Sequence, residues 1–401
     1  MAFLIKKTYF ENAAWLVVLL ILMGQALLGD FSFLSNLAVV YIWIRQYLKG
    51  DNKLKRTYSI YLCCIIFLIA YSLVWGNSLP LAIRFGLILL FVLSSYSWRA
   101  DSSFFLKFFM IVNGILVVGL IVLELYLLGN SEVEYAFIRN EIVQANGVGD
   151  VFLYNDLYYK LELRGTPLIV FVYMLTYVID IVPSKYKWHV RFLFLIGSVL
   201  AGNFAYLMAI VIFHVLFFIA TVDIRKKNEF PKFLFGSFVI ILLISFVFAP
   251  VFFFSMEEKE EGNTTRQDQL EVLMNDMSQS GISMLLGTGL GHTVEVKSKQ
   301  RDYSGNTYYE IQSAYVLNQL GLVNFTILIL MNIFLAFRYI KLKKLLIVYF
   351  VYVIYASTNP YMWDTTHIVV IVSLICCKSF IASYGKFREK CYLCPRPIPA
   401  R

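Results

Sequence analysis

Long apolar segments separated by short clusters of charged residues are the feature that most constrains how this chain folds. An apolar segment of about 20 residues, when helical, matches the hydrocarbon thickness of a bilayer. Of the 401 residues, 59% are hydrophobic and 15% are charged, whereas soluble domains carry about 25% charged residues. This composition excludes a soluble enzyme, a disordered protein and a collagen-like protein, and it predicts an all-α polytopic membrane protein.

About 12 transmembrane helices are expected, because the apolar residues suffice for that many spans of about 20 residues each. They form a single integral membrane domain over residues 1–401. The predicted spans are Ala13–Leu28, Phe31–Ile44, Thr57–Trp75, Leu79–Tyr96, Phe104–Leu128, Thr166–Val182, Trp188–Gly202, Asn203–Val222, Phe233–Ser255, Ala314–Phe337, Leu345–Thr358 and Thr365–Ser383.

The distribution of basic residues predicts the orientation of these spans. If the N-terminus lies in the cytoplasm, the inner segments, Lys378 and a tail over residues 386–401 hold 26 of the 35 Lys and Arg residues. Cytoplasmic loops of membrane proteins are enriched in Lys and Arg, so we expect both termini in the cytoplasm. The net charge of +9 then reflects topology and does not indicate a nucleic-acid partner.

Two outer loops are long, over residues 129–165 and 256–313, and the other loops are short. Long loops on a polytopic protein are usually functional or ordered, although a tolerated insertion is the alternative. Neither loop contains cysteine, so no disulfide framework is expected there. The pair Cys391 and Cys394 lacks a second pair or a nearby His, which favours free thiols over a zinc site.

The second loop contains an amphipathic pattern from Arg266 to Ser278, with apolar residues at three- and four-residue spacing. This pattern predicts a helix on the outer membrane surface, with Arg266 in its first turn. A cation is slightly unfavourable near a helix N-terminus. The arginine therefore either meets an anion or is simply solvated, and composition does not separate these two interpretations.

A glycine-rich run, Leu286-Gly287-Thr288-Gly289-Leu290-Gly291-His292, follows that helix. Glycines permit positive φ angles, and their backbone N–H groups could face a phosphate. A plain turn is the commoner explanation of such a run, and His292 is more often a surface histidine than a catalyst. No strand–turn–helix unit surrounds the run, so it is not a dinucleotide-binding fingerprint.

Charged residues also lie at the outer ends of several predicted spans. Glu310 comes just before the span that begins at Ala314, where it could serve as a general base or could merely interact with the helix dipole. Arg164 precedes another span, where it could snorkel or meet a phosphate. Arg84 and Glu124 lie within spans, so we expect them to contact each other, or Arg84 to turn into a cavity.

Several arginines and a carboxylate on one side of a membrane suit a lipid-linked diphosphate. Arginine binds phosphate oxygens in a bidentate manner and never loses its charge. The run from Arg266 through the glycines to Glu310 and Gly321-Leu322 resembles the O-antigen polymerases of the Wzy type, within the polymerase/ligase superfamily of bacterial envelope polysaccharides. In that family an Arg-led amphipathic helix precedes a G-x-G-x-G-like turn, and a polar or acidic residue then opens a helix ending in a Gly-Leu or Gly-Ile pair.

The resemblance implies a C-type glycosyltransferase-like fold in the bacterial inner (cytoplasmic) membrane, with both long loops in the periplasm. It implies that undecaprenyl-diphosphate-linked oligosaccharide repeat units are joined into O-antigen or capsular polysaccharide. No cofactor and no metal are expected, and the partners are membrane lipid, a chain-length regulator and a flippase. The residues that the resemblance and the charge pattern single out are Arg266 and Glu310 as catalytic residues, and Arg164, Arg84, Gly287, Gly289, Gly291 and His292 as substrate-binding residues.

Other functions stay open on the sequence. An O-antigen ligase would transfer the chain to lipid A–core, but the related ligases carry a His–Asn sequence where this chain has Tyr309-Glu310-Ile311-Gln312. A lipid-linked oligosaccharide flippase would need no base, but such flippases have short loops, whereas the second loop has 58 residues. A non-catalytic membrane scaffold is a third alternative.

Overall fold

The protein is a predominantly helical membrane protein. The computed structural model describes residues 2–23, 31–130, 132–145, 149–154, 158–163, 165–221, 265–297, 302–305, 307, 309–357 and 360–392. Its α-helices, in chain order, are α1 (Ala2–Met23), α2 (Ser32–Lys49), α3 (Asn52–Val74), α4 (Leu79–Ser95), α5 (Ser102–Leu128), α6 (Glu132–Phe137), α7 (Pro167–Val178), α8 (Lys187–Leu200), α9 (Phe204–Thr221), α10 (residues 265–277), α11 (Gly281–Leu286), α12 (Gln312–Tyr339), α13 (Lys343–Ser357) and α14 (Thr365–Tyr392).

By length and composition, five of the described helices can cross a membrane: α3, α5, α9, α12 and the segment Thr365–Ser383 of α14. Helices also occupy the other predicted spans wherever the structure describes them, but most of those helices are short. The ninth predicted span, Phe233–Ser255, lies outside the described residues. The count of 12 spans therefore stays a prediction. Large apolar side chains such as Phe67, Ile115 and Leu330 are exposed on the long helices, as lipid-facing residues are.

The first outer loop contains a β-hairpin, which the all-α prediction did not include. Strand β1 (Gly149–Tyr154) pairs antiparallel with β2 (Tyr158–Leu163), and Gly149 lies opposite Leu163. A short helix and a π-helix (Ile138–Gln144) precede the hairpin, and Arg139 is joined to Asp150 by an ion pair of 3.0 Å. The described part of this loop therefore forms a folded unit rather than a loose insertion.

The hairpin also corrects the predicted partner of Glu124. The backbone N–H of Tyr159 donates to Glu124 Oε1 at 2.8 Å, so the carboxylate near the C-terminal end of α5 contacts the hairpin. Among the described residues no ion pair joins Glu124 to Arg84. The expected Arg84–Glu124 contact was wrong, because depth in the membrane does not determine which helices are neighbours.

The centre of the helical bundle is formed by α7, α13 and α14. Ten residues of α7 are buried, and Tyr355 of α13 donates a hydrogen bond of 2.8 Å to the carbonyl of Pro167 at the start of α7. At its other end, α14 continues past Ser383 to Tyr392, so part of the predicted tail over residues 386–401 is helical. The remainder of the tail lies outside the described residues.

Candidate functional site

Helix α10 confirms the amphipathic helix predicted in the second outer loop, but with a different buried face. Thr265, Gln269, Leu273 and Met277 are buried, and they recur every four residues along one face of the helix. Leu270 and Met274, which the pattern had assigned to the same apolar stripe, are exposed. The buried face thus includes two polar residues, Thr265 and Gln269, and the adjacent face exposes apolar side chains.

Arg266 of α10 and Glu310, 44 residues later, form an ion pair. Arg266 Nε donates to Glu310 Oε2 at 3.2 Å, and the Tyr303 hydroxyl donates to the other carboxylate oxygen, Oε1, at 3.0 Å. The side chains are 41% exposed for Arg266 and 28% exposed for Glu310. Both residues singled out as catalytic are therefore in contact, and both remain within reach of an incoming ligand.

Gln269 holds the backbone beneath this ion pair. Its Oε1 accepts hydrogen bonds from the backbone N–H groups of Glu310 at 3.1 Å and Ile311 at 3.4 Å. Its buried Nε2 has no hydrogen-bond partner among the described residues. This side chain joins α10 to the start of α12 and sets the distance between Arg266 and Glu310.

Glu310 does not cap α12. Helix α12 begins at Gln312, and its N-cap, Ile311, makes no side-chain capping bond. Among the described residues, the Glu310 carboxylate accepts from Arg266 and Tyr303 and from no backbone N–H group. The alternative in which Glu310 merely stabilises the helix N-terminus therefore lacks the hydrogen bond that such a cap would make.

The glycine-rich run packs against a break in α12. Gly321 has φ 68° and ψ 174°, which interrupts the helix, and a break leaves nearby carbonyls without intrahelical donors. The N–H groups of Thr288 and Gly289 donate to the carbonyls of Asn318 and Gln319, each at 3.0 Å. The N–H groups of the loop thus replace the helical donors that these two carbonyls lack.

Close backbone contact explains why glycine is required at Gly287. Its φ is 91°, and an added Cβ would lie 2.1 Å from the carbonyl oxygen of Gln319. Across the contact, a Cβ on Gly321 would lie 2.3 Å from the backbone nitrogen of Gly287. The two glycines therefore allow the loop and the broken helix to meet backbone to backbone.

The N–H groups of the run are used within the protein, which argues against a phosphate cradle. Besides Thr288 and Gly289, Gly287 donates to the carbonyl of Ser283, Leu290 to the Ser72 hydroxyl, and Gly291 to the side chain of Gln319. The structure therefore does not support substrate binding by the N–H groups of Gly287, Gly289 and Gly291. These glycines instead fix the loop against α3 and α12.

His292 lies between two side chains that accept hydrogen bonds. Its Nε2 is 3.0 Å from Asp276 Oδ2, and its Nδ1 is 3.2 Å from Asn77 Oδ1. The amide of Asn77 is oriented by its Nδ2, which donates to the carbonyl of Thr288 at 2.8 Å. Both ring nitrogens therefore face side-chain oxygens, which fixes the orientation of the imidazole ring between α10 and Asn77.

Asp276 is held in its ionised form. Burial of the carboxyl group opposes its ionisation. Hydrogen bonds from His292 and from Asn318 Nδ2 outweigh that effect, so the pKa of Asp276 lies below its ordinary value. The bond from Asn318 is 2.8 Å long. This carboxylate therefore anchors the C-terminal end of α10 to α12 and to the glycine-rich run. Arg266 lies at the opposite end of the same helix.

Arg84 does not join the Arg266–Glu310 pair. Arg84 is exposed on α4, and it is close enough to the Tyr315 hydroxyl for its charge to act on that group. Helix α4 also contacts the glycine-rich run, because a Cβ on Gly291 would lie 2.7 Å from the backbone nitrogen of Ala82. Arg164 lies outside the described residues.

An apolar surface adjoins the site. Helix α11 exposes Ile282, Met284, Leu285 and Leu286, and α10, which precedes it in the chain, exposes Leu270 and Met274. Leu286 lies against α12, since Asn324 Nδ2 donates to its carbonyl at 3.1 Å. Exposed apolar side chains on short helices beside a membrane span are typical of an interfacial segment that contacts lipid.

Comparison of the chain with known protein families, characterised proteins and solved structures finds no match. Within the described ranges, no group of three or more His, Cys, Asp or Glu side chains could hold a metal ion. The chemistry of the site is therefore that of Arg266, Glu310 and Tyr303, together with the Asp276–His292 pair.

Proposed function

We propose that this chain polymerises undecaprenyl-diphosphate-linked oligosaccharide repeat units into O-antigen or capsular polysaccharide at the periplasmic face of the bacterial inner membrane. The observation that carries the proposal is the contact between Arg266 and Glu310, near helices that expose apolar side chains. The resemblance of the segment from Arg266 to Leu322 to the O-antigen polymerases supports the same function.

The proposed step transfers a growing chain from its lipid diphosphate to the acceptor sugar. An acceptor hydroxyl oxygen attacks the anomeric carbon of the donor, the bond from that carbon to the diphosphate oxygen breaks, and the hydroxyl proton passes to Glu310. The lipid diphosphate leaves with the bonding electrons, and Arg266 stabilises its charge. The Tyr303 hydroxyl orients the Glu310 carboxylate by its hydrogen bond.

Binding of the donor would itself prepare the base. In the free protein Arg266 occupies one oxygen of Glu310, Oε2. A diphosphate offers the guanidinium a bidentate anionic partner of higher charge. As Arg266 turns to the diphosphate, Glu310 keeps its bond from Tyr303, and Oε2 becomes accessible to the acceptor hydroxyl.

The membrane arrangement completes the proposal. In a 12-span topology with both termini in the cytoplasm, α10, α11 and Glu310 lie on the periplasmic side. The exposed apolar side chains of α11 would contact the outer leaflet, where the polyprenyl tail of the donor resides. The donor diphosphate would then reach Arg266 at the water boundary, and an accompanying chain-length regulator and flippase would act on the same pathway.

Deletion of the gene, followed by a gel of the surface polysaccharide, tests the proposal. Loss of a polymerase leaves the lipid core capped with a single repeat unit. Bare core with accumulated lipid-linked polymer would identify a ligase, and bare core without polymer would identify a flippase. An unchanged ladder would refute all three. Purified protein in nanodiscs, supplied with lipid-linked repeat units, should then yield longer lipid-linked chains without an added cofactor.

A further inference from the structure

A second polar pocket lies on the other side of α10 from the Arg266–Glu310 pair. It has a volume of about 390 Å³ and is lined by side chains of α10 and of the segment that follows the glycine-rich run: Val272, Asn275, Asp276, Gln279, His292, Thr293, Val294 and Glu295. The Asp276–His292 pair forms its inner wall. The proposed transfer step uses none of these side chains.

Several polar groups of the pocket are unused. Asp276 Oδ2 takes the hydrogen bonds from both His292 and Asn318, and within the described residues Oδ1 takes none. The side chains of Asn275, Gln279 and Thr293 make no hydrogen bond with other described residues, and all three are exposed. One carboxylate oxygen, two amides and a hydroxyl thus converge on one space.

These groups are suited to a polyhydroxylated ligand. Amide and carboxylate groups can donate to and accept from sugar hydroxyls, and a site built for hydroxyl groups discriminates strongly against ligands that lack them. Val272 and Val294 add an apolar patch that a sugar ring can cover. Asp276 and Glu295 are both acidic and no Lys or Arg lines the pocket, so an anionic sugar would be repelled.

We propose that this pocket is a saccharide subsite that binds a neutral sugar residue of the repeat-unit chain, at a distance from the bond that is formed. Arg266 and Asp276 are ten residues apart on one helix, or about 15 Å at 1.5 Å per residue. A sugar in the pocket therefore lies several residues along the oligosaccharide from the transfer site. The assignment of the sugar to a repeat-unit chain rests on the proposed function, whereas sugar binding itself does not.

Saturation-transfer NMR on the full chain in lipid nanodiscs tests the subsite. The probes are the methyl glycosides of glucose, galactose and N-acetylglucosamine, and the methyl glycoside of glucuronic acid is the anionic counterpart. We expect saturation transfer to at least one neutral probe and little to the glucuronide. The double variant Asn275→Ala/Gln279→Ala should weaken binding of that probe about tenfold, since it removes two hydrogen bonds.

Gln267→Ala is the matched control, because Gln267 is an exposed amide on the same helix outside the pocket. It should bind as the unaltered protein does. Because the side chains of Asn275 and Gln279 make no hydrogen bonds within the described residues, their truncation should leave folding intact, which thermal unfolding will verify. The proposal is overturned if no neutral probe binds, if binding survives the double variant, or if the glucuronide binds equally well.

The test of the saccharide subsite and the test of polymerisation can fail independently of each other. If Arg266→Ala makes normal polymer but neutral sugars bind in the pocket, polymerisation by the proposed site is refuted and the subsite stands. If transfer depends on Arg266 but no sugar binds, the subsite is refuted and the proposed function stands.

Discussion

Exchanging the charges of Arg266 and Glu310 should abolish polymer formation while preserving the fold. The variant Arg266→Glu/Glu310→Arg retains one positive and one negative side chain at the same two positions. A purely structural ion pair would therefore be restored by the exchange. A catalytic pair would not, because the guanidinium would then stand where the proton acceptor is needed and the carboxylate would face the diphosphate.

The expected free-energy changes distinguish a structural ion pair from a catalytic one. The side chains are 41% and 28% exposed, and ion pairs exposed to solvent contribute about 0–1 kcal/mol to stability. That is small beside the 5–15 kcal/mol that typically holds a domain folded. Loss of the contact to the leaving group costs about 2–4 kcal/mol, or about 30- to 1000-fold in rate, and loss of a general base costs about 100- to 10,000-fold.

The assay is complementation of a deletion strain at matched expression, with ladder length read on a gel. Both single variants, Arg266→Ala and Glu310→Gln, should leave core capped with a single unit, and the exchanged variant should look the same. Glu271→Lys, a charge change at an exposed position of the same helix, should give normal ladders. Long ladders from the exchanged variant would refute the reasoning and make the pair structural.

Three further outcomes are expected. Gly287→Ala should lower the thermal unfolding temperature, because its Cβ would lie 2.1 Å from a backbone oxygen at a φ of 91°, a strain of at least about 1–3 kcal/mol. The control Gly281→Ala, whose Cβ would have no atom within 4 Å, should not lower it. Equal unfolding temperatures for the two variants would contradict the backbone contact. The pKa of Asp276 is lowered in the folded protein from 3.8, so its contribution to stability is complete above pH 3.8 and is lost as the pH falls through the lower pKa. On acidification, the unfolding temperature of the unaltered chain should therefore fall more than that of Asp276→Asn. Equal falls in the unfolding temperature would exclude this linkage. After replacement of the native cysteines, a membrane-impermeant thiol reagent should label Thr293→Cys but not Asn228→Cys in intact spheroplasts. The reverse labelling pattern would overturn the predicted orientation, in which both termini lie in the cytoplasm.

Features that depend on short stretches of sequence were predictable. Helix α10 follows from the spacing of its apolar residues, and the need for glycine at Gly287 follows from the density of glycines around it. The hairpin was missed although its signal was present. The strands Gly149–Tyr154 and Tyr158–Leu163 are rich in aromatic and branched residues, and Asn155-Asp156 stands between them as a turn signal.

Contacts between distant parts of the chain were not predictable in the same way. Asn77 meets His292 across 215 residues, and no local pattern indicates which side chain a loop residue will find. Tyr303 and Gln269 were missed for the same reason, although they orient Glu310. The expectation for Arg84 failed because it rested on depth alone, whereas helix neighbours are set by packing over whole faces.

The partial exposure of the Arg266–Glu310 pair suits the proposed reaction, in which Arg266 leaves Glu310 to bind the donor diphosphate. Breaking a fully buried ion pair costs about 3–5 kcal/mol, because a charge is left uncompensated. A hydrogen bond to a charged group contributes about 1.5–3 kcal/mol, so the two bonds of a bidentate diphosphate contact would do little more than offset that cost. A pair that is 41% and 28% exposed costs about 0–1 kcal/mol to separate, and water and Tyr303 still solvate Glu310 when the guanidinium leaves. A site at the water boundary can therefore keep Glu310 paired with Arg266 until the donor arrives and still separate the pair at little cost, whereas a site deep in the hydrocarbon would lose most of the binding energy to that separation.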